Sequence, residues 1–421
     1  MVELRPIFYE SVSKMKKIKM LLKQLLSKTG ALDFYIKQLY IHLTVLIYKL
    51  KHTQVAVNQD QFVFESFQGK SASDSPYAIY LELKKIKPNA QFIWVFAELN
   101  HPDSLRLSQE LNTKCVERGK TEYFQAYASS QYWIVNCRLP YRLIPRKSQV
   151  LLQCWHGTPL KKLGLDIAVE NHPTSSLQAM HFAYQWEGKR CDYFLSPSPY
   201  ASQCFTTSFA LKRSQILEVG YPRNDDLINH KHDKAYQNKI KETLGIDLHK
   251  KVILYAPTFR DDDFVAGKHV ATNQLDNVQF KSHFSEDVQF LFRGHYFSKV
   301  EQPKDGFFIN VSDYPRINDL LLIADEVITD YSSLFFDYLI LERPVYFYMY
   351  DKDKYLNHLR GTYLNVERDM PGLVVEQQHD LIQLLIDQQY SAVKSKQFNQ
   401  TYNPHEQGQS AQCVIQTILG N

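Results

Sequence analysis

The stretch Asp325-Glu-Val-Ile-Thr-Asp-Tyr-Ser-Ser-Leu-Phe-Phe-Asp-Tyr-Leu-Ile-Leu-Glu-Arg-Pro-Val-Tyr-Phe-Tyr-Met-Tyr350 decides the fold. It reads as strand, polar turn, helix and strand. Glu326 to Ile328 form an apolar-rich strand, and Thr329, Asp330, Ser332 and Ser333 make a small polar turn. Leu334 to Leu341 are long enough for about two helical turns. Pro344 ends the helix, and Val345–Tyr348 is the next strand. A turn at the carboxyl end of a parallel strand aims free backbone N–H groups and hydroxyls at one spot, which favours a phosphate. The plainer reading is a helix capped by Ser332 or Ser333 with Asp337 exposed, and this stretch alone does not separate the two.

The same alternation extends in both directions. Strands are expected at Phe62–Phe67, Phe92–Phe96, Lys114–Glu117, Tyr132–Val135, Val150–Trp155, Asp192–Ser196 and Ile216–Val219, with helices at Pro76–Ile86 and around Thr121–Ala128. The charged segment His230–Lys250 reads as helix and linker. A second series follows, with strands at Val252–Tyr255, Val288–Arg293 and Phe307–Asn310, then the opening stretch, then helices at Leu381–Asp387 and Ser410–Leu419. Strands separated by helices imply right-handed crossovers and parallel sheets. The expected division is 1–55 as basic amphipathic helices, 56–228 as an N-terminal Rossmann-like acceptor domain and 229–421 as a C-terminal Rossmann-like donor domain.

Composition narrows the function. The 421 residues are 44% hydrophobic and 13% aromatic, which argues against disorder. A net charge of +4 is too small to imply a polyanion partner, so no nucleic acid is expected. Six cysteines without a CxxC pair read as reduced thiols of a cytosolic protein, and no signal peptide is evident. The charge is uneven, however: from Ser11 to Gln59 there are nine lysines and a single acid, Asp33. Ile18, Leu22 and Leu25 share one helical face over Lys14–Lys51, and Leu39, Leu43, Leu46, Ile47 and Leu50 share another. Lys37, Gln38 and His42 interrupt the apolar runs, so they fall short of a membrane span. A basic helix lying in a membrane interface is the sharper reading, and a helix packed on the domain the plainer one.

Polar turns at strand ends point to a ligand between the two halves. Arg260 follows a strand and can clamp a phosphate, and His295 follows Arg293-Gly294, where glycine permits close approach. In the first half, Gln153-Cys-Trp-His-Gly-Thr-Pro-Leu-Lys161 holds His156 at a strand tip, and Pro159 suits the first turn of a following helix. A histidine there is a natural general base, although a buried histidine bonded to carbonyls fits the turn equally well. No Asp-x-Asp stands beside a donor-site strand. Asp261-Asp262-Asp263 could hold Mg²⁺ but reads better as a solvated loop, so no resident metal or cofactor is expected, and a weak Mg²⁺ requirement stays open.

These turns, in this order, resemble the CDP-glycerol glycerophosphotransferase family of teichoic acid primases and polymerases. The matching segments include Phe67-Gln-Gly-Lys70, Cys154-Trp-His-Gly-Thr-Pro-Leu-Lys161, Ser196-Pro-Ser198, Gly220-Tyr-Pro-Arg-Asn-Asp225, Tyr255-Ala-Pro-Thr-Phe-Arg260, Arg293-Gly-His295 and Thr329-Asp-Tyr-Ser-Ser-Leu-Phe-Phe-Asp-Tyr338. The resemblance implies a GT-B-like α/β fold, two Rossmann-like domains around a cleft, on a peripheral protein of the cytoplasmic membrane face. It implies transfer of an alditol phosphate from a CDP-alditol to a hydroxyl of a lipid-linked, undecaprenyl-diphosphate-type acceptor, releasing CMP. By that resemblance His156 is the base and His295 a second catalytic group. Arg260, His295, Thr329, Ser332 and Ser333 hold the donor pyrophosphate, and Asp337, seven residues before Pro344, holds its ribose. Gly157, Thr158, Lys161, Ser198 and Arg223 fall on the acceptor side of the cleft. Polymerases of the family often carry an extra N-terminal region that is missing here, which favours a primase or short-chain transferase. A GT-B glycosyltransferase using a nucleotide sugar for a capsule or cell-surface glycan is the alternative, and a non-catalytic membrane adaptor a second. Glycerol and ribitol donors are not distinguished.

Overall fold

Phe62, Val63 and Phe64 are consecutive and all fully buried, and so are Trp94, Val95 and Phe96. Side chains alternate between the two faces of a strand, so such runs belong to strands covered by helices on both sides. The computed structural model describes residues 28–168, 175–258, 275–294, 306–353 and 361–420, with Leu25 and the short segments 264–265 and 268–269. Seven parallel strands form the first sheet: β1 (Asn58–Glu65), β2 (Gln91–Phe96), β3 (Thr113–Glu117), β4 (Ser130–Val135), β5 (Val150–Gln153), β6 (Tyr193–Ser196) and β7 (Ile216–Glu218). Their order is β3-β2-β1-β4-β5-β6-β7. The second half begins with β8 (Lys251–Tyr255) and a two-stranded ribbon, β9 (Phe264–Val265) and β10 (Lys268–His269). With β11 (Val288–Phe292), β12 (Phe308–Asn310), β13 (Glu326–Thr329), β14 (Val345–Tyr348) and β15 (Val374–Val375), β8 makes a parallel sheet ordered β12-β11-β8-β13-β14-β15. This is the two-sheet α/β arrangement expected from the alternating pattern.

In each sheet the chain reverses its direction of travel at the central strand, beside β1 and β4 in one half and beside β8 and β13 in the other. The loops leaving these strands diverge there and open a crevice at the carboxyl edge, where ligands bind in such folds. Phe62, Phe64 and Trp94 pack under the helix Asp74–Ile86, while Val63, Val95 and Trp133 pack with Met180, Phe205 and Phe209 of the helices on the opposite face.

The last helix, Ser410–Leu419, departs from the expected domain division. Val414, Ile415 and Ile418 pack with Phe62 and Phe64 of the first sheet. The Asp225 carboxylate caps its start, accepting from the Ser410 and Ala411 amides at 2.8 and 2.9 Å. Its apolar stripe is as good a cover for either sheet, so periodicity cannot say which one it joins.

The helix Ala31–His52 buries Ile41, Val45 and Tyr48. It lies along the helix Leu177–Arg190, with Phe34 at 5.6 Å from Phe182 and His42 at 6.0 Å from Trp186 between ring centroids. On the opposite side Leu32, Ile36, Leu39, Leu43, Leu46, Ile47 and Leu50 form a continuous exposed stripe. One face of this helix thus packs on the domain, as the plainer reading had it, and the face read as interfacial is exposed. The preceding face of Ile18 and Leu22 lies outside the described residues. No helix among the described residues is long and apolar enough to cross a membrane.

Candidate active site

The turns after β1, β4 and β5 meet at the carboxyl edge of the first sheet. Asn136, just past β4, ties them together: its Oδ1 accepts from the Phe67 amide at 2.8 Å, and its backbone carbonyl accepts from His156 Nδ1 at 2.7 Å. Because a carbonyl only accepts, Nδ1 carries the proton, and the neutral ring keeps Nε2 as its basic nitrogen. The ring stacks on Trp155 at 4.4 Å and stands 6.0 Å from Phe67. It sits deep between the two halves yet remains exposed to the cleft volume. Desolvation there lowers its pKa below the ordinary histidine value; the Asn136 carbonyl and Asp74 oppose this, and Arg223 and Arg138 add to it.

These turns are strained. Trp155, Phe67, Gln68 and Asp74 all have left-handed backbones, with φ of 51°, 46°, 60° and 62°. Each such residue costs roughly 1–3 kcal/mol, and clusters of them mark sites where geometry outranks stability.

Across the cleft stand the turns after β8, β11 and β13. A cavity of about 400 Å³ is bounded by His156, Gly157, Thr158 and Lys161 on one side and by Thr258, Arg293, Gly294, Ser332 and Ser333 on the other. The two sides approach closely at Gly157, where a Cβ would stand 2.5 Å from Ser333 Oγ. Only glycine lets the two turns come this close. Ser332 Oγ accepts from the Leu334 amide at 3.3 Å. Arg293 holds the Val311 and Tyr314 carbonyls at 3.3 and 2.8 Å while it borders the cavity.

Pro159 does not begin a helix, contrary to expectation. It runs extended against the second half: Lys161 bridges to Thr362, the Lys162 amide donates to Gly361 at 3.0 Å and the Tyr363 amide to Leu160 at 2.8 Å. Leu160 itself packs in the core of the second half. The proline tolerates either state, and the pairing partner lies about two hundred residues away, beyond any local signal.

Four expected site residues are placed elsewhere. Asp337 is buried and binds Arg223 through both oxygens, at 3.0 and 3.1 Å from Nη2, and also takes Asn224 at 3.0 Å. A second acid, Asp74, lies 3.4 Å from the same guanidinium. Burial works against the charge on Arg223, but Asp337 and Asp74 more than offset it and raise its pKa. Asp337 and Arg223 thus lock the two halves together, and neither borders the His156 cavity. Thr329 is fully buried and donates to the Ala256 carbonyl at 2.7 Å. Ser198 caps the helix Pro199–Phe209, accepting from the Ala201 amide at 3.3 Å. All four side chains are engaged by partners within the protein. Arg260, His295 and the run Asp261–Asp263 lie outside the described residues. Among the described residues no group of three or more His, Cys, Asp or Glu is placed to hold a metal. Sequence reasoning passed over Arg293, although it stands in a matching segment, and Asn136, whose role rests on a backbone carbonyl that no residue type reveals.

Residues 46–420 match the family model for CDP-glycerol:poly(glycerophosphate) glycerophosphotransferase. The chain is 38% identical over 393 residues to the teichoic acid glycerol-phosphate transferase of Staphylococcus aureus (strain NCTC 8325 / PS 47), covering 91% of this chain and 98% of that protein. It is 37% identical over 377 residues to the teichoic acid poly(glycerol phosphate) polymerase of Staphylococcus epidermidis, but spans only 52% of that protein's length. Among solved structures, the wall teichoic acid polymerase TagF superposes with a TM-score of 0.82 at 34% identity, over 96% of this chain and 98% of that one. A variant of that polymerase has also been solved after soaking with CDPG. On this evidence the chain belongs to the CDP-glycerol:poly(glycerophosphate) glycerophosphotransferase family.

Proposed function

We propose that the protein transfers glycerol phosphate from CDP-glycerol to a hydroxyl of a lipid-linked acceptor and releases CMP, in teichoic acid or related cell-surface polymer synthesis. The observation that carries this reading is His156, its Nδ1 proton fixed by the Asn136 carbonyl, in one cavity with Arg293, Ser332 and Ser333. The acceptor oxygen forms a bond to the phosphorus that bears glycerol, and the bond from that phosphorus to the CMP oxygen breaks. The hydroxyl proton goes to His156 Nε2. Charge grows on the departing CMP, so catalysis is positioning and electrostatic stabilisation. Ser332, Ser333 and Arg293, with Arg260 and His295, are the groups for the donor phosphates, without a resident metal. Thr158 and Gly157 are cleft residues on the acceptor side. The names of the relatives and their poly(glycerol phosphate) products favour this donor over a nucleotide sugar.

The exposed apolar stripe of Ala31–His52, together with the lysines before it, supports a peripheral membrane attachment that brings the cleft to its acceptor. Incubating purified protein with a lipid-linked acceptor and either CDP-glycerol or UDP-sugars tests the reading. Mass spectrometry is expected to find glycerol-phosphate additions with the first and no product with the second. Sugar additions from UDP-sugars would refute it.

A further inference from the structure

We propose that the loop between β4 and β5, residues 136–149, is the docking element for the diphosphate of a membrane-anchored acceptor, with Arg138 and Arg142 as its ligands. This rests on the transfer reading above and adds a second anion site, on the acceptor side, separate from the donor-phosphate turns.

The loop reads Asn136-Cys-Arg-Leu-Pro-Tyr-Arg-Leu-Ile-Pro-Arg-Lys-Ser-Gln149, with four cations and no acid. Arg138 is exposed and lies over the Tyr184 ring at 4.5 Å, and Arg142 is half-exposed over the Phe124 ring at 5.3 Å. Among the described residues neither arginine is in an ion pair. Glu187, which like Arg138 lies near Tyr141, is buried and held by Arg190, so it does not cancel their charge. A stacked guanidinium keeps its planar donor edge available for phosphate oxygens.

The loop is also held firmly in place. Arg190 donates to the carbonyls of Leu139, Pro140 and Leu143 at 2.8, 2.9 and 2.7 Å. Arg146 donates to the Val55 carbonyl at 2.7 Å and to that of Ala128. A loop this fixed presents its cations with little ordering left for a ligand to impose.

Its position joins the two parts of the function. At one end the Asn136 carbonyl fixes His156. Near its middle, the Tyr141 carbonyl accepts from Trp186 at 3.2 Å, and Lys37 of the helix Ala31–His52 stands 5.9 Å over the Tyr141 ring. Phe124, under Arg142, lies 6.4 Å from Tyr48 of that helix. The cationic loop therefore lies between the catalytic histidine and the helix whose outer stripe is apolar. An acceptor with its lipid tail in the bilayer carries its two phosphates next to that tail, at this level of the molecule.

The test uses the full chain with Arg138→Gln and Arg142→Gln, singly and together, and the Arg→Lys pair as a charge-retaining control. Circular dichroism first checks that each variant keeps its fold. Calorimetry then measures binding of a soluble short-prenyl diphosphate acceptor analogue and of the same analogue without the diphosphate. Each Gln variant is expected to weaken diphosphate binding about tenfold or more, with the Lys control nearer the parent. Binding of the diphosphate-free analogue, of CMP and of phosphatidylglycerol vesicles is expected to stay unchanged. Equal diphosphate affinity in parent and double variant, or no binding by the parent, would overturn the proposal even if transfer from CDP-glycerol is intact. A parallel loss of vesicle binding would assign the arginines to phospholipid headgroups instead and would likewise overturn it. Conversely, selective loss of diphosphate binding without any transfer from CDP-glycerol by the parent would uphold the site and refute the transfer reading.

Discussion

His156 owes its chemistry to one backbone carbonyl. By accepting from Nδ1, Asn136 fixes the tautomer and leaves Nε2 to take a proton. A general base must be neutral to act, and desolvation lowers the pKa of this ring from its ordinary 6.5. The sign follows: the acidic limb of the kcat/KM profile is expected below pH 6.5, with the rate falling as the ring protonates. A limb well above 6.5 would mean that another group is titrating. Asp337 makes the opposite case, a polar residue whose partner is structural. Asp337→Ala leaves a buried Arg223 with only Asp74 at 3.4 Å, and is expected to lower stability by about 3–5 kcal/mol in urea titration. CMP affinity, measured by calorimetry while the variant is folded, is expected to hold; a selective loss would restore Asp337 to the ribose. At this scale the sequence revealed which residues sit at strand ends. It could not reveal which of them face the cleft: Ser198 and Ser333 carry the same hydroxyl, yet the first is fully buried as a helix cap and the second is half-buried at the cavity.

The turn elements act as a pair. The strand-turn-helix reading of Asp325–Tyr350 matches β13, the turn, the helix Leu334–Tyr338 with its continuation Leu339–Leu341, and β14, since buried β-branched and aromatic runs and a terminating proline are local signals. The meeting of this turn with Trp155–Lys161 is not a local property. Gly157→Ala would put a Cβ 2.5 Å from Ser333 Oγ, and one of the turns would have to move. The expected destabilisation is about 1–3 kcal/mol, as for other overpacked sites. In Gly157→Ala/Ser333→Ala the next atom is Ser333 Cβ at 3.4 Å, so most of that loss is expected to disappear. Additive melting shifts in the double-mutant cycle would show that the turns are not in contact.

Over the whole molecule, the halves are joined by the buried group of Arg223, Asn224, Asp337 and Glu406 and by the last helix crossing back to the first sheet. Burial raises the Glu406 carboxyl to about 8, against an ordinary 4.5. A raised folded-state pKa means that the folded protein holds a proton the unfolded chain releases. This contribution is complete below pH 4.5 and is lost as pH rises toward 8. Glu406→Gln is therefore expected to flatten the fall in Tm between pH 5 and 8; an unchanged slope would remove Glu406 from the account. The central claim is that this two-half cleft, with His156 as base, moves glycerol phosphate. Its most direct test is the single-turnover rate of CMP release from CDP-glycerol by the parent and His156→Ala, with CMP affinity measured alongside. The account predicts a rate lower by about 10²–10⁴-fold with CMP affinity retained; near-parental turnover by His156→Ala would contradict it.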